Sequence, residues 1–506
     1  MLVSLLSVAV VGDWEYVGLG IALLGGIAVG VAAAQESSAG KGQSRPRPGL
    51  SVPQESGAPS MPRRLERLFA WLVDNELWLL LIVSPLFLFP RPISALGFLL
   101  VPVLWILRWW LRGCLTERTP LDWPILLIAV MLIVAMLASA DWAASLPKLA
   151  GLTLGIGVYY AIVNRSPSEQ QFRWMTVALS ILGLGIGVVG LLGTGGLNSK
   201  FLPIQITALT RTLDPFPKLA PELINPNEVG GALAWIVPIL AVLTLAQWRD
   251  RVETLPRLFK FRWWSLLSSY WSIIALVFAS IILLLTQSRS ALFGVVVSLG
   301  IFSAVRWHRL RLLFVALLIG IGIAGLVFGF QPFLQTVFGS GGSGGATGTL
   351  DFASRQEVWE RALYAIQDFP LTGLGLNMFD PVTKVLYPYF LISPDTTLIH
   401  AHDIYLQVAV DLGLPGLVAY IALLSAFAYM VYKLAITGAS AYTRTVALAL
   451  GLGVLAHQIF GLTDAITLGA KPGILFWIIL GLAGGLWLLE HPRPKPLGEQ
   501  SGQQVS

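Results

Sequence analysis

Long apolar runs alternate with short polar breaks along most of this chain. The runs fall at residues 17–34, 77–90, 93–112, 121–139, 148–163, 174–194, 228–246, 264–286, 290–305, 309–330, 412–434, 441–462 and 472–490. Five or more of them approach or exceed the roughly 20 residues that cross a ~30 Å hydrocarbon core. Backbone polar groups in hydrocarbon must bond within their own segment, so each run is expected to be a helix. The pattern predicts an all-α polytopic membrane protein with about 13 transmembrane helices. Breaks of only a few residues at 77–90/93–112 and 264–286/290–305 predict tight helical hairpins, the first turned by Pro90-Arg91-Pro92. One break differs from all the others. From about Gln331 to Gly416 the apolar pattern stops, and a glycine-rich run (Gly339 to Gly348), an amphipathic stretch and a His-Ala-His-Asp sequence intervene.

The N-terminal region stands apart from this series. Residues 17–34 end in Ala32-Ala33-Ala34, as a signal peptide would, but Asp13 and Glu15 precede them without any Lys or Arg. An uncleaved helix over residues 1–34 is therefore expected. Residues 35–76 then read as a flexible basic linker, rich in Ser, Pro, Gly and Gln up to residue 62 and too polar there to bury a core. The predicted core spans 77–490, with a short tail at 491–506.

Charge sets the orientation. Only 12% of residues are charged, about half the roughly 25% of a soluble domain. The 33 Lys and Arg against 27 Asp and Glu give a net charge of +6, and their distribution follows the alternation of the helices. If 35–76 is cytoplasmic, 23 basic residues fall on that side and ten on the other, with five crowded between Arg249 and Arg262. By the positive-inside rule the N-terminus is expected outside, the C-terminal tail in the cytoplasm, and the 331–411 loop outside the cytoplasm. The basic excess is thus an orientation signal, and no nucleic-acid partner is expected. The single cysteine, Cys114, forms no internal disulfide, and no Cys/His spacing of a structural zinc site occurs.

The residues with chemical potential gather on the outer side. Arg289 sits in the turn Thr286-Gln287-Ser288-Arg289-Ser290, too short to carry a guanidinium far from the hydrocarbon boundary. It either snorkels to headgroups or serves a wet cavity. Ser354-Arg355-Gln356-Glu357 has the pattern of a capping box that opens a helix running to about Asp368, before Pro370. Arg355, Trp359, Ala362 and Ile366 then share one face. An arginine in a first turn opposes the helix dipole by roughly 0.3–1 kcal/mol, a conflict that a bound anion would remove. Stacking of Arg355 on Trp359 is the structural alternative. His402, beside Asp403 and Tyr405, has the side chain of a general base toward a hydroxyl. His400 and His402 supply two metal ligands without a clear third. His457, in mid-helix, reads as a packing residue. Asn225-Pro226-Asn227-Glu228 reads as a helix start with Asn227 as N-cap. Arg211 lies in a polar loop on the same side, the glycine run reads as a hinge or lid tether, and Asp464 and Lys471 either line the cavity or pair.

Taken in order, several of these motifs resemble the O-antigen ligase and polymerase superfamily. They are Asn225-Pro226-Asn227 before a helix, Thr286-x-Ser288-Arg289, Ser354-Arg355-x-x-x-Trp359, Gly373-Leu-Gly375, and His402-Asp403-x-Tyr405-Leu406-Gln407 followed by Leu412-Gly413-Leu-Pro415-Gly416. The similarity covers most of residues 77–490. It implies a GT-C-like core of about twelve membrane helices with one large outer loop, and a metal-independent glycosyltransferase whose donor is an undecaprenyl-diphosphate-linked glycan. Arg289 and Arg355 would bind the diphosphate, Arg211 being a looser match, and His402 would activate the acceptor. Asp403 stands where the family usually has Asn or Ser, and the N-terminal 76 residues are extra to its pattern. Some relatives carry an inorganic-carbon-transporter label.

The expected function is inverting glycosyl transfer at the outer face of the inner membrane, onto a lipid or glycan acceptor, without a cofactor. His402 is the expected base, Arg289, Arg355 and Arg211 the substrate-binding residues, and Trp359, Asp403 and Asn227 their support. The alternative is a membrane transporter of bicarbonate or another small anion. Such a transporter should carry ionisable or broken helices near the bilayer midplane and a repeat, whereas here the charges gather in outer loops. A non-catalytic glycolipid-binding or assembly protein is a third reading.

Overall fold

The computed structural model describes residues 63–88, 98–165, 169–193, 225–254, 263–328 and 352–491. The predicted helix at 17–34, the linker up to residue 62, the Pro90-Arg91-Pro92 turn, Arg211 and the glycine run lie outside them. The described residues are helical, with no strand among them. In chain order the helices are α1 (Arg63–Asp74), α2 (Glu76–Leu88), α3 (Leu100–Arg112), α4 (Asp122–Ala138), α5 (Trp142–Val163), α6 (Glu169–Gly193), α7 (Pro226–Thr254), α8 (Trp263–Thr286), α9 (Arg289–Arg306), α10 (His308–Phe328), α11 (Phe352–Asp368), α12 (Phe379–Leu386), α13 (Ile404–Thr437), α14 (Ala441–Phe460) and α15 (Ile474–Glu490).

Helices overlap each apolar segment predicted from residue 77 onward. Six candidate spans, the helices α5, α9, α13 and α14 together with Pro226–Trp248 and Lys471–Glu490, are long and apolar enough to cross a membrane by length and composition. A seventh arises if α1 and α2, bent by 70°, count as one broken span. This is fewer than the thirteen read from the sequence. The difference is partly one of length, because α4 and the apolar parts of α6 and α8 are shorter than a full span.

The centre of the bundle is α7, packed on α8, α9 and α14, while α5 packs on α15 and α4 on α13. Lipid is as apolar as leucine, so helices in a bilayer associate through close fit, and small residues permit it. A Cβ on Gly294 of α9 would lie 2.2 Å from the Ala456 carbonyl oxygen of α14, and one on Gly453 of α14 would lie 2.6 Å from the Trp235 oxygen of α7. Both substitutions would force backbones apart. His457, predicted to be a packing residue, is buried and stacks on Trp235 with ring centroids 3.6 Å apart.

The interruption after α10 has a small core of its own. Val358, Ala362 and Ala365 of α11 bury against Phe379 of α12 and against Ile392 and Leu398 in the following loop. α11 ends at Asp368, where the sequence placed its end. The capping box is not formed. Ser354 lies inside α11, and the Glu357 carboxylate accepts from the backbone N–H groups of Phe390 (2.5 Å) and Leu391 (2.9 Å) and from Arg361 (3.3 Å). α13 begins at Ile404, eight residues before its predicted start, and breaks at Gly413 (φ 71°, ψ 177°). The break has a tertiary cause: Leu414 N–H donates to the Pro370 carbonyl at 2.7 Å, and Gly413 sits too close to Leu371 to carry a side chain.

Candidate active site

Three stretches far apart in sequence meet where α11, the start of α13 and the turn after α14 converge. α11 contributes Arg355 and Trp359. Trp359 donates its indole N–H to the His402 carbonyl at 3.3 Å and meets Phe352 edge-on at 5.9 Å. It is a strut under the histidine loop, and not the stacking partner of Arg355 that the structural alternative required.

His402 itself is held in the left-handed region (φ 50°), a conformation that costs a non-glycine residue on the order of 1–2 kcal/mol. The contacts around it explain how that is sustained. Its backbone N–H donates to His400 Nδ1 at 3.2 Å, Ala401 N–H donates to Gln407 Oε1 at 2.6 Å, and Ile404 N–H donates to the Gly461 carbonyl at 2.8 Å. The last bond ties the loop to the C-terminal end of α14.

The carboxylate paired with His402 is Asp464, not Asp403. Asp464 Oδ1 lies 3.3 Å from His402 Nδ1, 3.7 Å from His400 Nε2 and 2.9 Å from the Ala465 N–H. Its Oδ2 is buried without a hydrogen-bond partner. Asp403 instead caps α13, accepting from Tyr405 N (2.8 Å) and Leu406 N (2.9 Å) through one oxygen. Burial pushes the Asp403 carboxyl upward against those two bonds. Burial also raises Asp464, yet the hydrogen bond from His402 and the positive electrostatic surroundings, Arg355 among them, outweigh it and hold Asp464 below the ordinary carboxylate range. With Nδ1 against this carboxylate, His402 carries its proton there. Its Nε2 has no hydrogen-bond partner among the described residues.

His400, His402 and Asp464 place three buried ligand atoms within 4.8 Å of one another. That supplies the third ligand the sequence lacked. His400 Nδ1 accepts from a backbone N–H, so the neutral ring carries its proton on Nε2, the atom that would have to ligate. Burial, with the neighbouring His402, depresses His400 to about 3, so it stays neutral, with Nε2 3.7 Å from Asp464 Oδ1.

Arg355 and Arg289 supply positive charge. Arg355 is buried, its Nε has no partner, and its guanidinium makes no hydrogen bond among the described residues. Its charge acts on Asp464, His400 and Arg289. Arg289 begins α9 directly after a tight turn in which Gln287 has φ 50° and Ser288 Oγ is buried without a partner. The start of α7 presses on this turn: a Cβ on Gly230 would lie 2.7 Å from Ser288 Cβ. Two mutually repelling guanidiniums on separate helices, one with unused donors, make a local positive field of the kind that attracts an anion.

The structure therefore brings Arg289, Arg355, Trp359 and His402 together and reassigns two supporting residues. Besides Asp403, Asn227 is not the N-cap of α7. Asn225 is: its Oδ1 accepts from Asn227 N–H at 2.9 Å, with Pro226 in the first turn, where a missing N–H costs nothing. Asp464 was legible only as one of two charged residues, with Lys471, in the last outer connection.

Residues 274–421 match the O-antigen ligase family. The matched region runs from α8 to the middle of α13 and holds Arg289, Arg355, Trp359, His402 and Asp403, while Asp464 and Asn227 fall beyond it. Over that stretch, less than a third of its length, the chain is similar to the O-antigen ligase family. The family supports a ligase-like or polymerase-like glycosyltransferase role, lipid-linked glycan substrates and a multi-pass location in the inner membrane. Among curated proteins, none matches the chain.

Proposed function

We propose that this O-antigen ligase-like protein moves a glycan from an undecaprenyl-diphosphate carrier to an acceptor hydroxyl at the outer face of the inner membrane. The observation that carries the reading is the polarity of His402: Nδ1 faces the Asp464 carboxylate, and Nε2 has no partner among the described residues. A ring fixed in that tautomer offers a basic nitrogen to a hydroxyl and gains a stabilised positive charge on taking the proton. The acceptor O–H gives its proton to Nε2 while its oxygen attacks the anomeric carbon. The bond from that carbon to the diphosphate oxygen breaks, and the electron pair leaves on the diphosphate. A single displacement of this kind inverts the anomeric configuration.

The leaving group gains negative charge in the transition state, and Arg289 and Arg355 are the groups to meet it. Each properly aimed donor of this kind contributes on the order of 10²–10³ in rate. Two guanidiniums supply the positive charge that a metal provides elsewhere. Asp464 orients His402 and balances it, His400 holds the loop backbone and completes Asp464, and Trp359 fixes the loop to α11. Arg211, outside the described residues, is a further candidate for the diphosphate.

The test is a transfer assay with the reconstituted full-length protein and a lipid-diphosphate-linked glycan, comparing the wild type with Arg289→Ala, Arg355→Ala and His402→Ala. Each variant is expected to lose transfer while remaining folded. Product formation that survives all three substitutions overturns the mechanism. Uptake of labelled bicarbonate into liposomes, undiminished by the same substitutions, would favour an anion transporter.

A further inference from the structure

We propose that α1 is an in-plane anchor that binds the anionic headgroup layer of the leaflet into which α2 opens. The inference stands apart from the catalytic reading and needs only that α2 be embedded.

α1 is amphipathic but cannot cross hydrocarbon. Five of its twelve residues are charged: Arg63, Arg64, Glu66, Arg67 and Asp74. α2 follows after Asn75, bent by 70° from α1, and is apolar. A twelve-residue helix is ~18 Å long. With α2 near the bilayer normal, a 70° bend carries the far end of α1 only about 6 Å from the hydrocarbon edge, within a headgroup layer of roughly 5–7 Å.

The side chains suit that depth. One flank of the apolar face packs inward, with Val73 buried and the Phe69 ring edge-on to Trp110 of α3 at 6.4 Å. The rest of the face is uncovered: Leu65, Leu68 and Trp71 are 41%, 49% and 55% exposed, and Trp109 and Trp110 of α3 extend the surface. Exposed tryptophans belong at a membrane interface. Residues 63–67 carry three arginines against one glutamate, and Asp74 is already paired with Arg112 of α3. An apolar stripe edged by unbalanced arginines matches anionic lipid, with each arginine near the surface worth about a fivefold shift in interfacial partitioning.

The test uses the full-length protein with Cys114→Ser, which removes its one cysteine, and single spin-labelled cysteines at Glu66→Cys or Leu68→Cys. The protein is placed in nanodiscs of phosphatidylcholine alone or with phosphatidylglycerol, and label collisions with oxygen and with an aqueous nickel chelate are compared. The label at 68 should favour oxygen and that at 66 the nickel chelate. Phosphatidylglycerol should deepen the label at 68, and Arg64→Glu with Arg67→Glu should abolish that increment. Water access at both positions, or indifference to phosphatidylglycerol, overturns the proposal. Shielding of position 68 from both reagents also overturns it and assigns the face to a second copy of the chain.

Discussion

Two buried carboxylates, Asp411 and Asp464, have opposite surroundings. Asp411 on α13 accepts from Lys148 Nζ of α5 at 3.0 and 3.3 Å and from the Asn377 N–H at 3.3 Å, while the Asn377 side chain donates to the Ala144 carbonyl at 2.9 Å. That network closes on itself and clasps α5, α13 and the outer loop together. Asp464 leaves one oxygen unpartnered, and nearby Arg355 Nε and His402 Nε2 are likewise unused. Burying polar atoms without partners costs roughly 1–3 kcal/mol each. A cluster that carries such atoms around a residue in a strained backbone conformation has the marks of a functional site, where strain and unmet polar groups concentrate. The two regions therefore separate a polar network that closes on itself from one that keeps the unmet polar atoms the proposed chemistry would use.

The contrast is broken most directly at His402. His402→Ala should lower the transfer rate by about 10²–10⁴ with an unchanged melting temperature in detergent; equal losses of activity and stability would make the cluster structural. The clasp should respond in the opposite way. Lys148→Met leaves Asp411 buried without its cation and should cost about 3–5 kcal/mol of stability, read by thermal unfolding, while the correctly folded fraction keeps its specific activity. Next in size is Arg355→Ala, expected to reduce kcat by about 10²–10³ at little cost in stability, because the side chain has no hydrogen bond to lose. Asp464→Asn should lower kcat, with KM nearly constant, as expected of a group that acts through His402 by fixing its tautomer.

The smallest effect is a pH dependence of stability. His400 sits among His402, Asp464, Lys148 and Arg355, and burial lowers it from 6.5 to about 3. Below pH 6.5 the unfolded chain takes up a proton that the folded protein refuses until about pH 3. The contribution is thus whole above 6.5 and is lost as the pH falls toward 3, by at most ~1.4 kcal/mol per pH unit. Melting temperatures measured from pH 7 to 5 should fall less steeply in His400→Gln than in the wild type.

Much of the architecture was written in local pattern. Apolar runs fixed where helices form, because a backbone in hydrocarbon has no other way to satisfy its bonds. Pro370 fixed the end of α11, and the oddity of an arginine in a first turn pointed to Arg355. Partners were not legible in the same way. Asp403 is adjacent to His402 in sequence, yet its carboxylate is consumed by two N–H groups at the start of α13, since a helix start demands acceptors locally. Asn227 lost the capping position to Asn225 because Pro226 can open the helix. Glu357 fits a capping motif but is claimed by Phe390 and Leu391 from a loop folded back onto α11.

The sequence by itself thus determined the class of the protein, its helices, and the arginines and histidine that stand out from an apolar background. These follow from solvation and backbone hydrogen bonding, which act over a few residues. Only the tertiary structure decided that Asp464, sixty-two residues beyond His402, is its partner. The choice depends on Gly461 binding the Ile404 N–H and on α14 ending beside the histidine loop, contacts that no local pattern encodes.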